Sequence, residues 1–360
     1  MSIFAASNRP FFFPKPLVDK MARYGRELVE QLDANPQYAT ASDRTIPDKY
    51  RVPHEPMHPL FVQADFGLVE ATEGEYEPKL VEIQGFPSLY AFHPVLANQY
   101  KVSYNLDPAL SNFLGGGGAE GYYSLLRRAV LGDHRPEDVV LLEVDPFHQK
   151  TLPDFLLTQK QLGCRIADIR DVEKRGRKLY HEGKAIERIY NRVIVDELER
   201  RHIEFDFHFS DEIDVEWAGH PNWFFRLSKF SLPWFEHVSV PKTQFLSEVE
   251  TLPENLDAWV LKPLFSFAGL GVKVGPTREE IETIPESERC QYILQERMDF
   301  AAPIETRAGA TKPEVRIMYI WDGVLKPVTT IIRTGRGKMM GVDFNKNLNW
   351  VGASAGLFVD

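Results

Sequence analysis

The sequence predicts an α/β protein in which a strand–helix–strand unit precedes an α+β lobe. Three observations predict it. DVVLLEVDP (138–146), HQKTLPDFLLTQKQLG (148–163) and CRIADIRDV (164–172) read as a buried strand, a helix and a second strand, which implies a parallel pair with a crossover. From about residue 221 the strands return as hairpins around short helices. At 360 residues the chain exceeds one ordinary core and implies two or three joined lobes.

The elements follow in order. PLVDKMARYGRELVEQL (16–32) repeats its apolar residues every three and four positions, the spacing of an amphipathic helix. A Pro- and His-rich loop is expected over 35–59. FVQADFGLVE (61–70) and PKLVEIQGF (78–86) are strands of a long hairpin, joined by polar ATEGEYE (71–77). GGGGAEGYYSLLRRAVLG (115–132) is a helix behind a glycine loop. No Lys-Ser or Lys-Thr follows those glycines, which excludes a P-loop. After the strand–helix–strand unit, 177–193 reads as a hairpin turning at Glu182-Gly183, then a strand carrying Arg192. NWFFRLSKFSLPWFEH (222–237) is aromatic and helical. WVLKP (259–263) and GVKVG (271–275) are strands flanking a loop. Thr277 and Glu280 form a capping box, YILQERM (292–298) is a strand, and EVRIMYIWDGVLKPVTTIIRT (314–334) is a hairpin turning at Asp322-Gly323. The implied organisation is an N-terminal region (1–134), an α/β domain (135–220) and a final lobe (221–360).

Composition narrows the function. Apolar residues are 43% and charged residues 26%, as in a soluble globular protein. No apolar run reaches the length of a membrane helix. The N-terminus has one Arg before its aromatic run and is interrupted by Asn8, Pro10 and Pro14, a poor signal peptide. It reads as an arm whose three phenylalanines pack on the body. Cys164 and Cys290 make neither a disulfide framework nor a zinc site, and a cytoplasmic location is expected. The net charge of −10 argues against a nucleic-acid partner. It leaves open a small anionic ligand, which needs only a few local cations.

VLKPLFSFAGLGVKV (260–274) carries the first chemical signal. Lys262 ends a strand, and Ser266, Gly269 and Gly271 follow in a small-residue loop before the chain returns. Lysine offers a point charge to phosphate, and glycines let backbone N–H groups approach an anion. An ordinary hairpin with a surface lysine is the competing reading. Gln295 and Glu296 end the next apolar strand and offer the polar groups that a purine and its ribose need. Lys229, Arg316 and Arg333 are further cations able to stabilise phosphoryl transfer, although Arg316 could equally pair with Glu314 on its own strand face. Beyond Glu314 the acids are only Asp322, Asp343 and Asp360. Metal-binding oxygens are therefore expected earlier, at Asp65, Glu82 and Gln84, the last two at i, i+2 on one strand face. The competing reading there is a salt bridge to arginine. A later alternative is Asp343 with Asn345 or Asn347.

These segments resemble the glutathionylspermidine synthase-like branch of the ATP-grasp superfamily and its circularly permuted members. QADFG and LVEIQGFPSLYAF resemble that family's R-F-D and L-L-E-Y-N segments, LKPLFSFAG its K-K-P-L-F-S-R-E-G, LSKF its S-N-K, LQE its Y-Q-E, and IIRT its I-R-E. Residues 138–195 resemble the domain that precedes the nucleotide lobe in permuted members. The resemblance implies an α+β ATP-grasp lobe joined to a preceding α/β domain. It also implies an ATP-dependent carboxylate–amine ligase acting through an acyl phosphate on small-molecule substrates, with ATP and Mg²⁺ as cofactors. Asp65, Glu82 and Gln84 would hold the metal. Lys229, Lys262 and Arg333 would screen phosphate charge. Ser266, Gly269 and Gly271 would cover the phosphates, and Gln295 and Glu296 would hold adenosine. Three departures stand out: Gln63 replaces an arginine, Gln84 an asparagine, and Phe267-Ala268 an Arg-Glu pair. They favour the alternative of a nucleotide-binding module without turnover. A phosphotransferase on the same scaffold is a third reading.

Overall fold

The computed structural model describes residues 7, 9–266, 269–337, 340, 345, 348–349 and 351–359. Its centre is a five-stranded antiparallel sheet in the order Gly352–Ser354, Leu325–Gly335, Lys312–Trp321, Phe61–Thr72, Glu75–Gln84. Segments some 250 residues apart in sequence are thus adjacent strands. Alternation sends Val62, Ala64 and Phe66 to one face, where they join the core beneath the helix Lys15–Asp33. Phe61, with Met318 and Ile320, faces the other way, into the core under the helix Gly118–Leu131. Gln63 and Asp65 share Phe61's face. There the sheet changes from apolar to charged along its length, and that change positions the site.

The first helix lies as expected and docks closely. A Cβ on Gly25 would stand 2.0 Å from the Tyr319 hydroxyl, which donates to the carbonyl of Ala22 at 3.1 Å. The region 35–59 is not wholly loop. Asn35 accepts from the N–H groups of Gln37 and Tyr38 and starts the helix Pro36–Asp43. Only Tyr38 and Ser42 of that helix are buried, so it has no apolar stripe to betray it. The polar stretch 71–77 is strand as well: the hairpin runs to Thr72 and resumes at Glu75, turning at Gly74 with φ +80°. Its polarity reflects exposure, not a loop.

The parallel unit forms with Glu216–Ala218, Arg188–Asn191, Val139–Glu143 and Arg165–Asp168 in that order. The helix Leu152–Leu162 bridges two of these strands and ends at left-handed Gly163. The expected strand 164–172 stops at Asp168, whose carboxylate caps the Arg170 N–H and turns the chain. Val172–Arg175 then opens a separate three-stranded meander. The expected helix 222–237 is broken at Leu227-Ser228 into Trp223–Arg226 and the 3₁₀ stretch Lys229–Trp234, with Ser228 re-capping. A second antiparallel sheet orders Thr243–Phe245, Tyr292–Glu296, Trp259–Pro263 and Lys273–Val274. The N-terminal arm is ordered at Phe11–Phe12, parallel to Gly356–Val359. Alternation buries Phe13 but leaves Phe12 57% exposed, so not all three phenylalanines pack inward. Among the described residues no helix is long and apolar enough to cross a membrane.

Candidate functional site: a cationic cleft between two sheets

A cleft of about 510 Å³ opens between the central sheet and the second antiparallel sheet, within the usual range of small-molecule sites. Among its described lining residues eight are Lys or Arg and four are Asp or Glu. This inverts the balance of a chain with net charge −10 and suits an anionic ligand.

Lys262 comes from the strand Trp259–Pro263 and is 7% exposed. Its ammonium donates to Gln295 Oε1 at 2.6 Å and to the carbonyl of Val81 at 3.0 Å. That carbonyl is available because Val81 is a bulge: Asp65 pairs with Glu82 and Phe66 with Leu80, leaving Val81 without a partner in the ladder. Burial pulls Lys262 down to about 8, against the opposing charge of Glu82. Lys229 approaches from the 3₁₀ stretch. It donates to the Ser266 carbonyl at 2.6 Å and lies 3.6 Å from Glu82. The two lysines meet the same cleft from different elements.

The central sheet supplies the floor. Asp65 is fully buried and directly opposite Arg316 in register. Arg316 grips it with both edges of a fork, Nε to Oδ1 at 2.5 Å and Nη2 to Oδ2 at 2.7 Å. Arg333 also donates to Asp65 Oδ2 and pairs with Glu314, its cross-strand neighbour. Burial resists ionisation of Asp65, but Arg316 and Arg333 outweigh it and hold the carboxyl below the usual range. Burial pushes Glu314 up, with Arg333 opposing. Arg316 Nη1 donates to Gln63 Oε1 at 2.7 Å. The same oxygen accepts from Gln84 at 2.7 Å, while the Gln63 amide donates to the Ser88 carbonyl at 2.9 Å.

The expected site residues therefore separate into groups. Lys229, Lys262, Ser266, Gly269, Gln295, Glu296, Glu82, Gln84 and Arg333 all line the cleft. Asp65 and Gly271 are not among its lining residues. Gly271 is held at φ +72° with its Cα against Pro263, where a Cβ would be 2.9 Å from the ring, so it serves the turn. Ser266 offers its carbonyl to Lys229, while its hydroxyl stays local on Pro263 at 3.5 Å. The Gln295 side chain, expected to face adenosine, is 1% exposed and spent within the protein, between Lys262 and the Thr243 hydroxyl. It positions Lys262. Glu296 is exposed at the strand end.

The expected metal set is not assembled in this arrangement. Both Asp65 oxygens are taken by guanidinium groups, Gln84 donates to Gln63, and Glu82 lies near Lys229 and Arg316. Among the described residues no group of three His, Cys, Asp or Glu side chains could hold a metal ion. The salt bridge weighed against metal binding at Asp65 is what the fold makes, and the suspected Arg316–Glu314 pair is replaced by Arg316–Asp65. Asp343 and Asn347 of the later alternative lie outside the described residues, as do Phe267 and Ala268. The glycine loop at 115–118 lines a separate surface cavity of about 200 Å³. Arg192 stands just past its strand, stacked against Phe86. Sequence reading missed the Val81 bulge and the contributions of Lys150, Lys312 and Arg336 to the cleft wall.

No family model and no curated protein matches the sequence. A solved structure does match. It is a glutathione synthetase-like effector from Globodera pallida in apo form, with TM-score 0.61 over 98% of this chain and 90% of that one, at 12% sequence identity. The two chains share a fold. That shared fold is a mixed α/β architecture.

Proposed function

We propose that the cleft binds ATP and that the protein is an ATP-dependent carboxylate–amine ligase of the glutathionylspermidine synthase-like type. The observation that carries this reading is the convergence of Lys229 and Lys262 on one cation-rich cleft, on a scaffold shared with a protein named for glutathione synthetase. The triphosphate would lie between the two lysines and the cleft-facing side of Arg333. The base would rest on Val260 and Val274 of the second sheet and on Val272 and Met298 just beyond its strand ends.

In the reaction a substrate carboxylate oxygen attacks the γ-phosphorus, and the bond from phosphorus to the ADP oxygen breaks. The amine nitrogen then attacks the acyl carbon, phosphate leaves, and the nitrogen loses a proton. Negative charge peaks during phosphoryl transfer, and fixed ammonium and guanidinium groups stabilise it. Hydroxamate trapping with ATP and pooled carboxylic acids tests this chemistry. ADP release with hydroxamate formation is expected. ADP release without hydroxamate points to phosphotransfer.

One observation favours a second reading, a nucleotide-binding module without turnover. Asp65, the acid expected nearest the metal, is closed off by two arginines. ATP binding with no ADP formation from any acid–amine mixture selects that reading.

A further inference from the structure

ATP-grasp chemistry ordinarily implies Mg²⁺ bridging the phosphates, and the donor set among the described residues does not fit it. A magnesium ion needs several oxygens at close range in near-octahedral order. Among the described residues, the Asp65 and Gln63 oxygens at the floor surround a guanidinium. Arg316 takes Asp65 Oδ1, Asp65 Oδ2 and Gln63 Oε1 with three different nitrogens at 2.5, 2.7 and 2.7 Å. Its Nη2 also lies 3.8 Å from Glu82 Oε1. Arg333 reinforces this from the neighbouring strand by pairing with Asp65 and Glu314. A divalent ion entering this cluster would have to displace a buried, forked ion pair and sit beside two guanidinium charges.

We propose that Arg316 is a built-in replacement for a divalent cation, so the cleft binds the polyphosphate of a nucleotide without one. This rests on the reading that the ligand is a nucleotide. Lys229, Lys262 and Arg333 are further organic cations lining the cleft, beside the acids Glu82 and Glu314. Arg333 lines the cleft with its side chain 25% exposed, and its buried Nε has no partner among the described residues. Metal-free ATP carries more negative charge than its magnesium complex, and a cleft whose described lining holds eight Lys or Arg against four Asp or Glu favours it.

The test is calorimetric titration of ATP into the full chain, once in excess EDTA and once in excess Mg²⁺. The inference expects binding in EDTA at least as tight as in Mg²⁺, or weaker by less than about tenfold. Binding that appears only with Mg²⁺ overturns it and leaves the nucleotide reading intact. Absence of binding in both conditions rejects the nucleotide reading, and this inference falls with it. Mn²⁺ alone, followed by its EPR signal, provides a check that needs no variant. The signal of free Mn²⁺ is expected to persist on adding protein, and its loss would count against the Arg316 replacement.

Discussion

The floor of the cleft and the wall facing it both bury charged side chains, but they satisfy them differently. On the floor, Asp65 is wrapped by Arg316 and Arg333, and Glu314 meets Arg333. On the facing wall, Lys262 is equally inaccessible, yet the atoms it donates to are neutral, an amide oxygen and a bulge carbonyl. A buried ion pair is costly to break because one charge is stranded. A buried lysine on neutral acceptors stays strained, and its shift to about 8 records that strain. The floor charges are thereby committed to one another, whereas the wall lysine donates to neutral atoms alone.

The largest way to break this contrast is on the floor. Asp65→Asn takes the buried carboxylate from Arg316 and leaves Arg333 with Glu314 alone, and is expected to cost about 3–5 kcal/mol in urea unfolding. A loss below about 1 kcal/mol would mean the floor is not a structural clamp. Acid acts in the same direction. With its folded pKa below the ordinary value, Asp65 stabilises above the unfolded pKa of about 3.9. That stability is lost as pH falls through the folded pKa, and an acid titration of unfolding in wild type but not in Asp65→Asn checks it.

On the facing wall the effect should move from stability to affinity. Lys262→Ala removes the phosphate contact proposed for this lysine and is expected to weaken ATP by about 10- to 100-fold, with no loss of stability beyond that of a trimmed side chain. Equal affinity in the variant would remove Lys262 from the site. Gln295→Leu deletes one of two acceptors of Lys262, along with the hydrogen bond to the Thr243 hydroxyl. It should weaken ATP by about 2- to 10-fold, and a larger effect would mean Gln295 touches the ligand itself.

The subtlest expectation is in pH. Lys262 carries its proton below about 8, so ATP affinity should fall as pH rises through that value. The sign for stability is opposite. Between about 8 and the unfolded value near 10.4 the unfolded chain holds the proton that the folded one lacks, so folding stability gains from this group. Lys262→Arg should abolish the affinity slope, since arginine keeps its charge. A slope retained in that variant would assign the titration to another group.

The contrast also shows what the sequence could and could not disclose. Residues 260–274 announced Lys262 by its place at a strand end before small residues, and the i, i+2 pair of Glu82 and Gln84 correctly shares the cleft face. Both are local patterns. The Asp65–Arg316–Arg333 clamp depends on register between strands some 250 residues apart. Local periodicity carries no information about that pairing, so an acid in an apolar strand read equally as metal ligand or salt-bridge partner. The Val81 bulge is likewise a property of two strands together. The helix Pro36–Asp43 was obscured for another reason: it has too few buried positions to leave an amphipathic trace.

The central claim is that an adenine nucleotide lies in this cleft with its phosphates on the wall lysines. A crystal structure of the full chain with a non-hydrolysable ATP analogue tests it most directly. The expected result is a triphosphate between Lys229 and Lys262 with its base on Val260 and Val274. Nucleotide density elsewhere, or phosphates turned away from both lysines, would contradict the account.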